Sequence, residues 1–170
     1  AKEMKTAIIY ASKHGTTNFV AQKIKNLLFD NEAVLFNLDH QNRIELNHYD
    51  RIIIGSPIYA GTSLPVVRKF IERNLLTLLQ KEVGIFVCSM FHDKVDKQIA
   101  RGFPDLLRNH ARSIKSMGGE YRFDEMNYIE RLLVKKISGA TGSVYEINFS
   151  NIELFVRGLS AETLQPCLTE

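Results

Sequence analysis

Apolar runs of strand length alternate along this chain with segments whose apolar residues recur every three or four positions. That alternation predicts an α/β architecture, a doubly wound five-stranded parallel sheet flanked by helices. Thr6 to Tyr10 reads as the first strand, and Thr16 to about Phe29 as the first helix, with Phe19, Val20, Ile24, Leu27 and Leu28 on one face. Ala33 to Leu38 and Tyr49 to Ile54 read as the next two strands, the second almost wholly apolar as a central parallel strand requires. The polar stretch Asp39 to Asn47 between them is too broken for a helix. Pro65 suits a first helical turn, and Val67, Phe70, Ile71, Leu75 and Leu78 give the stripe that follows.

Glu82 to Ser89 reads as the fourth strand and opens into Met90-Phe91-His92-Asp93. Pro104 precedes a predicted helix over Asp105 to about Ser116, with Leu106, Leu107, His110 and Ile114 inward. Gly118-Gly119 would end it, and Glu120 to Asp124 would form a short fifth strand. Asn127 to Ser138 has the pattern of an additional helix, stopped by Gly139. Val144 to Phe149 is expected to return to the sheet edge. Ser150-Asn151-Ile152-Glu153 has capping-box spacing for a last helix, with Ile152, Phe155, Val156 and Leu159 inward.

At 170 residues and 45% hydrophobic composition, one domain spanning 1–170 is expected, with an insertion at about 125–145. No run approaches the ~20 apolar residues of a membrane span, and the first residues do not have the form of a secretory signal. Cys88 and Cys167 stand at no metal or redox spacing, so reduced thiols and a cytoplasmic setting are expected. The five histidines show no metal-ligand spacing, no metal is expected, and no catalytic residue stands out. A net charge of +3 gives no ground for nucleic-acid binding.

The chemistry concentrates in Ser12-Lys13-His14-Gly15-Thr16-Thr17, where a strand gives way to small polar residues and then to a helix. A helix N-terminus offers unpaired N–H groups and the positive end of the peptide dipoles, which suit a phosphate. The spacing fits neither GxGxxG nor GxxxxGK[ST]. An ordinary N-capped turn and a phosphate loop both remain open on spacing alone.

Those six residues resemble the FMN-phosphate loop of flavodoxins, and Gly55-Ser56-Pro57-Ile58-Tyr59-Ala60-Gly61 is similar to that family's first flavin-ring loop. The resemblance implies a flavodoxin-like fold and an FMN cofactor. Ser12, Lys13, His14, Gly15, Thr16 and Thr17 would then hold the phosphate. Ser56, Pro57, Ile58, Tyr59, Ala60 and Gly61 would line the ring, Tyr59 stacking on it, with Ser89, Met90, Phe91 and His92 on the other side. His14 stands where many flavodoxins have a hydroxyl, and Phe91 cannot donate a hydrogen bond. The basic balance is unusual for that typically acidic family. The segment Ser56 to Leu64 has no acid, and by Coulomb's law a less negative surrounding favours the reduced, anionic flavin.

Tyr128 to Gly139 resembles the insertion of menaquinone-dependent protoporphyrinogen oxidases, flavodoxin-fold enzymes that pass electrons through FMN to a quinone. Under that resemblance Arg131, Lys135 and Lys136 would meet an anionic substrate or the inner face of a membrane. Three functions follow: an FMN oxidoreductase acting on a small substrate and a quinone, a soluble flavodoxin-type carrier between redox proteins, or an interaction module without cofactor. The sequence does not fix the oligomeric state.

Overall fold

The structure, a computed structural model, describes residues 4–28, 32–89, 92–121 and 144–160. The order is β1 (Lys5–Tyr10), α1 (Thr16–Leu27), β2 (Glu32–Asn37), β3 (Arg51–Tyr59), β4 (Thr62–Ser63), α2 (Pro65–Leu78) and β5 (Glu82–Cys88). Then come α3 (Val95–Gly102), α4 (Asp105–His110), β6 (Ser113–Ser116), β7 (Gly118–Tyr121), β8 (Val144–Ile147) and α5 (Phe149–Ser160). Five strands form a parallel sheet in the order β2-β1-β3-β5-β6. This is the parallel α/β sheet that the apolar alternation predicts, in the doubly wound order that the loop resemblance implies.

Successive side chains of a strand point to opposite faces, so a strand covered on both sides must be apolar throughout. In β1, Ile9 joins the core under α2, α3 and α4, while Ile8 and Tyr10 join the core under α1 and α5. Strand β3 divides the same way, Ile52 and Ile54 to one side and Ile53 to the other. Helix α5 closes the second face with Ile152, Phe155 and Leu159, each at most 2% exposed. Complete burial of such side chains is worth about 1.5–3 kcal/mol each, enough to fix that helix against the sheet.

Several elements depart from the expected boundaries. The fifth strand of the sheet is Ser113–Ser116, paired with β5, and not Glu120 to Asp124. The helix before it therefore stops at His110, where Ala111 turns extended and Arg112 ties the new strand to Glu82. Leu106, expected inward, is 63% exposed as a result. The pair Gly118–Tyr121 and Val144–Ile147 form a separate antiparallel ribbon. Helix α3, absent from the sequence-based expectation, covers Val95–Gly102. The last helix is capped by Asn148, whose Oδ1 accepts from Asn151 N at 3.0 Å, and so begins before the expected Ser150. The expected helix at 127–139 lies outside the described residues, as do Phe29 and Cys167.

Candidate functional site

The carboxyl ends of β1, β3 and β5 lie side by side, and the connections leaving them form the candidate site. In open parallel sheets this end is where ligands bind.

The first connection turns through Gly15, which adopts φ 90° at the head of α1. Only a residue without Cβ takes that conformation cheaply. Ser12 Oγ accepts from Gly15 N at 3.0 Å and so sets the turn. Ser12 N in turn donates to Asp39 Oδ2 at 3.3 Å, from the end of β2. Tyr10 anchors the loop from below, its hydroxyl donating to Asn18 Oδ1 at 2.6 Å. Burial raises the pKa of this phenol, which keeps it neutral.

Thr16 and Thr17 follow at the first turn, 8% and 1% exposed, and neither Oγ1 finds a hydrogen-bond partner. Thr17 lies beside the buried Cys88 thiol, which burial pushes up to about 12 and which the threonine hydroxyl lowers slightly. A protonated thiol is too weak a partner to satisfy that hydroxyl. Buried polar groups are normally paired, so two orphaned hydroxyls at a helix N-terminus fit a phosphate oxygen as the missing partner. His14 is half-buried in the same turn.

The second connection is a hairpin rather than an open loop. Strand β3 runs on through Gly55, Ser56 and Pro57 to Tyr59, then reverses over Ala60 and Gly61 into β4. Pairing with β1 stops at Gly55, so Pro57 lies where β3 has become an edge on that side. Ala60 and Gly61 have φ of 51° and 81°, the positive pair that a two-residue hairpin turn requires. For alanine that conformation costs about 1–2 kcal/mol, a strain that the pairing of Tyr59 with Thr62 and Ile58 with Ser63 holds in place. Ser56 is fully buried and its hydroxyl is occupied within the hairpin, donating to Pro57 O at 2.8 Å and accepting from Leu64 N at 3.0 Å. Ile58 packs on the core. Tyr59 is 43% exposed, and Lys13 Nζ sits 3.1 Å from its ring centroid.

The third connection leaves β5 at Ser89, 4% exposed, whose hydroxyl donates to Gln98 Oε1 of α3 at 2.9 Å. A short 3-10 turn at His92–Lys94 leads into that helix. Met90 and Phe91 lie outside the described residues, and so do Arg131, Lys135 and Lys136.

The structure thus brings Ser12 to Thr17, Ser56 to Gly61 and Ser89 to one end of the sheet. Sequence reading missed Asp39, Gln98 and also Arg101, whose guanidinium would lie 3.5 Å from a Cβ placed on Gly61. Asp39 stands at the carboxyl end of β2 and could have been placed by position alone. Gln98 and Arg101 required α3, whose Val95 and Ile99 spacing was the available signal. Among the described residues, no group of three or more His, Cys, Asp or Glu is placed to hold a metal ion, and no helix is long and apolar enough to cross a membrane.

Sheet order, phosphate-type turn and ring-side hairpin together define a flavodoxin-like protein. The chain belongs to the flavodoxin-domain family, which it matches over residues 7–146. No curated protein matches it. Among solved structures, it is similar to a short-chain flavodoxin associated with a non-canonical PDU bacterial microcompartment, at 14% identity and TM-score 0.60, over 92% of this chain and 97% of that one. A WrbA-like flavodoxin from Agrobacterium tumefaciens shares 18% identity at TM-score 0.57, covering 93% and 94%. A flavoprotein from Lactobacillus acidophilus NCFM, solved in complex with FMN, shares 21% identity at TM-score 0.51, covering 66% and 93%.

Proposed function

We propose that this protein is an FMN-dependent oxidoreductase of protoporphyrinogen oxidase type, passing electrons from a reduced small substrate through FMN to a quinone. The observation that carries the cofactor is the pair of orphaned hydroxyls of Thr16 and Thr17 behind Gly15. Thr16, Thr17 and the N–H groups from Lys13 to Thr17 would hold the phosphate, and Ser12 keeps the turn in shape. Tyr59 and Pro57 to Gly61 form one wall for the ring. Bound FMN would supply the electron chemistry, and these residues would orient it and set the charge around it.

Support for an enzyme comes from the chain after β6. Strands β7 and β8 follow β6 and pair antiparallel with Tyr121 opposite Val144, so the chain on either side of residues 122–143 is held together at that point. A basic, apolar helix in that segment, with Arg131, Lys135 and Lys136, could receive an anionic substrate or rest on an anionic membrane. A carrier between redox proteins is the second reading, favoured by the flavodoxins among the similar structures.

The test has two parts. Release of FMN on denaturing the purified protein establishes the cofactor. Porphyrinogen oxidation coupled to reduction of a menaquinone analogue then separates enzyme from carrier. Replacing Arg131, Lys135 and Lys136 together by Gln is expected to leave FMN content normal while substrate oxidation or liposome association falls and loses its salt dependence. If neither changes, the carrier reading prevails.

A further inference from the structure

A lysine in the turn after β1 would ordinarily be assigned to the phosphate. Here its ammonium also meets an aromatic face. Lys13 Nζ stands 3.1 Å from the centroid of the Tyr59 ring, closer than the ~6 Å within which a cation and an aromatic face attract. The contact joins the phosphate end of the site to its ring end.

Two further cations reach the hairpin from neighbouring helices. Arg68 donates from its NH1 to Ser63 O and, at 3.3 Å, to Thr62 Oγ1. Arg101 NH1 would lie 3.5 Å from a Cβ placed on Gly61. No acid occurs between Ser56 and Leu64. The carboxylate that approaches the first loop, Asp39, is bonded to Ser12 N on the β2 side.

We propose that Lys13 is a positioning residue that makes this site discriminate between oxidation states of FMN, favouring the reduced one through Tyr59. This rests on the FMN reading above. Addition of two electrons and one proton to neutral oxidised FMN leaves one negative charge on the ring system. The positive charge held on the Tyr59 face then interacts with the reduced ring and has little to gain from the oxidised one. A charge that only attracted the phosphate would act equally on both states, because the phosphate is unchanged by reduction. The two roles therefore separate in a binding cycle.

The experiment compares wild type, Lys13→Met, which keeps the length of the side chain without its charge, and Lys13→Arg, which keeps the charge. FMN affinity is measured for the oxidised cofactor by fluorescence titration. Affinity for dithionite-reduced FMN follows from that value and the midpoint potentials of free and bound cofactor. Lys13→Met is expected to lose about tenfold more affinity for reduced than for oxidised FMN, the size of one charge–charge contact in a partly exposed site. Lys13→Arg is expected to keep most of the discrimination, and added salt to shrink the difference. Equal losses in both states, or no loss in either, would overturn the proposal while leaving FMN binding intact. Failure of wild type to bind FMN saturably would instead overturn the reading beneath it, and this proposal with it.

Discussion

The Ser89 hydroxyl donates to Gln98 Oε1 at 2.9 Å in a place where neither residue is more than 7% exposed. At the far end of the same helix, the buried Ser63 hydroxyl donates to Gly102 O at 2.7 Å. Helix α3 thereby ties the exit of β5 to the hairpin that carries Tyr59. Gln98→Leu removes this buried hydrogen bond and is expected to cost about 0.5–1.5 kcal/mol of stability. It is also expected to weaken FMN binding, because α3 bonds both the exit of β5 and the hairpin proposed to line the ring. Urea unfolding together with FMN titration checks both. A variant with lower stability and unchanged affinity would show that α3 supports the fold without shaping the site.

Thr17→Val separates the phosphate loop from the fold. The Thr17 hydroxyl is buried and unpaired within the protein, so its removal is expected to leave the apoprotein as stable as before, or slightly more so. FMN affinity is expected to fall by about 1.5–3 kcal/mol, the loss of one hydrogen bond to a charged group. Thermal melts of the apoprotein and an FMN titration measure the two sides. Unchanged affinity would remove Thr17 from the site.

Much of this arrangement was legible in the sequence, because strand burial and loop chemistry are local. Ile52-Ile53-Ile54 announces a strand covered on both faces, and Ser12 to Thr17 announces a strand-to-helix turn with phosphate chemistry. What was not legible depends on long-range contact. Ser113–Ser116 carries a helix-compatible Ile114, and only pairing with β5 and the Arg112–Glu82 contact turn it into a strand. Gly55 to Tyr59 reads as a loop because of Gly and Pro, yet Gly55 is there for the aromatic ring across the sheet. Lys13 could be placed in the strand-to-helix turn, but its approach to Tyr59 is a tertiary fact.

That aromatic ring gives a stability prediction. A Cβ on Gly55 would stand 2.0 Å from Phe86 Cζ, well inside contact distance. Phe86 is fully buried and also meets Phe155 edge to face at 6.1 Å, so it has little room to retreat. Gly55→Ala is expected to cost at least about 2 kcal/mol by overpacking. Combined with Phe86→Leu, the loss is expected to be smaller than the sum of the two single losses. Denaturant midpoints of the four proteins in this cycle decide it, and strict additivity would mean the two positions do not meet.

Cys88 predicts an alkaline limb. Burial pushes its thiol from 9.0 up to about 12, so the folded state retains a proton that the unfolded chain releases above about pH 9. Stability is therefore fully present below about pH 9 and falls as pH rises toward about 12, at up to about 1.4 kcal/mol per unit. Cys88→Ala loses some packing at every pH but is expected to flatten that limb. The measurement is unfolding free energy against pH for both proteins. Parallel curves would show that the thiol titrates alike folded and unfolded.

The last prediction lies at the opposite end of the sheet and serves as a control for the others. Arg51, whose side chain is only 5% exposed, donates to Glu82 Oε2 at 3.3 Å and to Leu159 O at 3.3 Å. Arg112 holds the other oxygen, Oε1, at 3.0 Å. Burial lowers the Arg51 pKa, the Glu82 carboxylate opposes that, and the guanidinium stays charged at any ordinary pH. Glu82 is thus the anion that lets a buried cation exist between β3, β5, β6 and α5. Glu82→Gln keeps the shape and removes the charge, leaving Arg51 buried with only neutral acceptors. Breaking a buried pair from one side costs about 3–5 kcal/mol, whereas an exposed pair is worth about 0–1 kcal/mol, so the size of the loss reports the burial directly. FMN affinity per folded molecule is expected to be unchanged, since the candidate site lies at the carboxyl ends of the strands and this cluster at the amino ends. Urea unfolding with an FMN titration at low denaturant checks both. A loss below about 1 kcal/mol would mean that water reaches Arg51, and a selective loss of FMN affinity would mean that the two ends of the sheet are coupled.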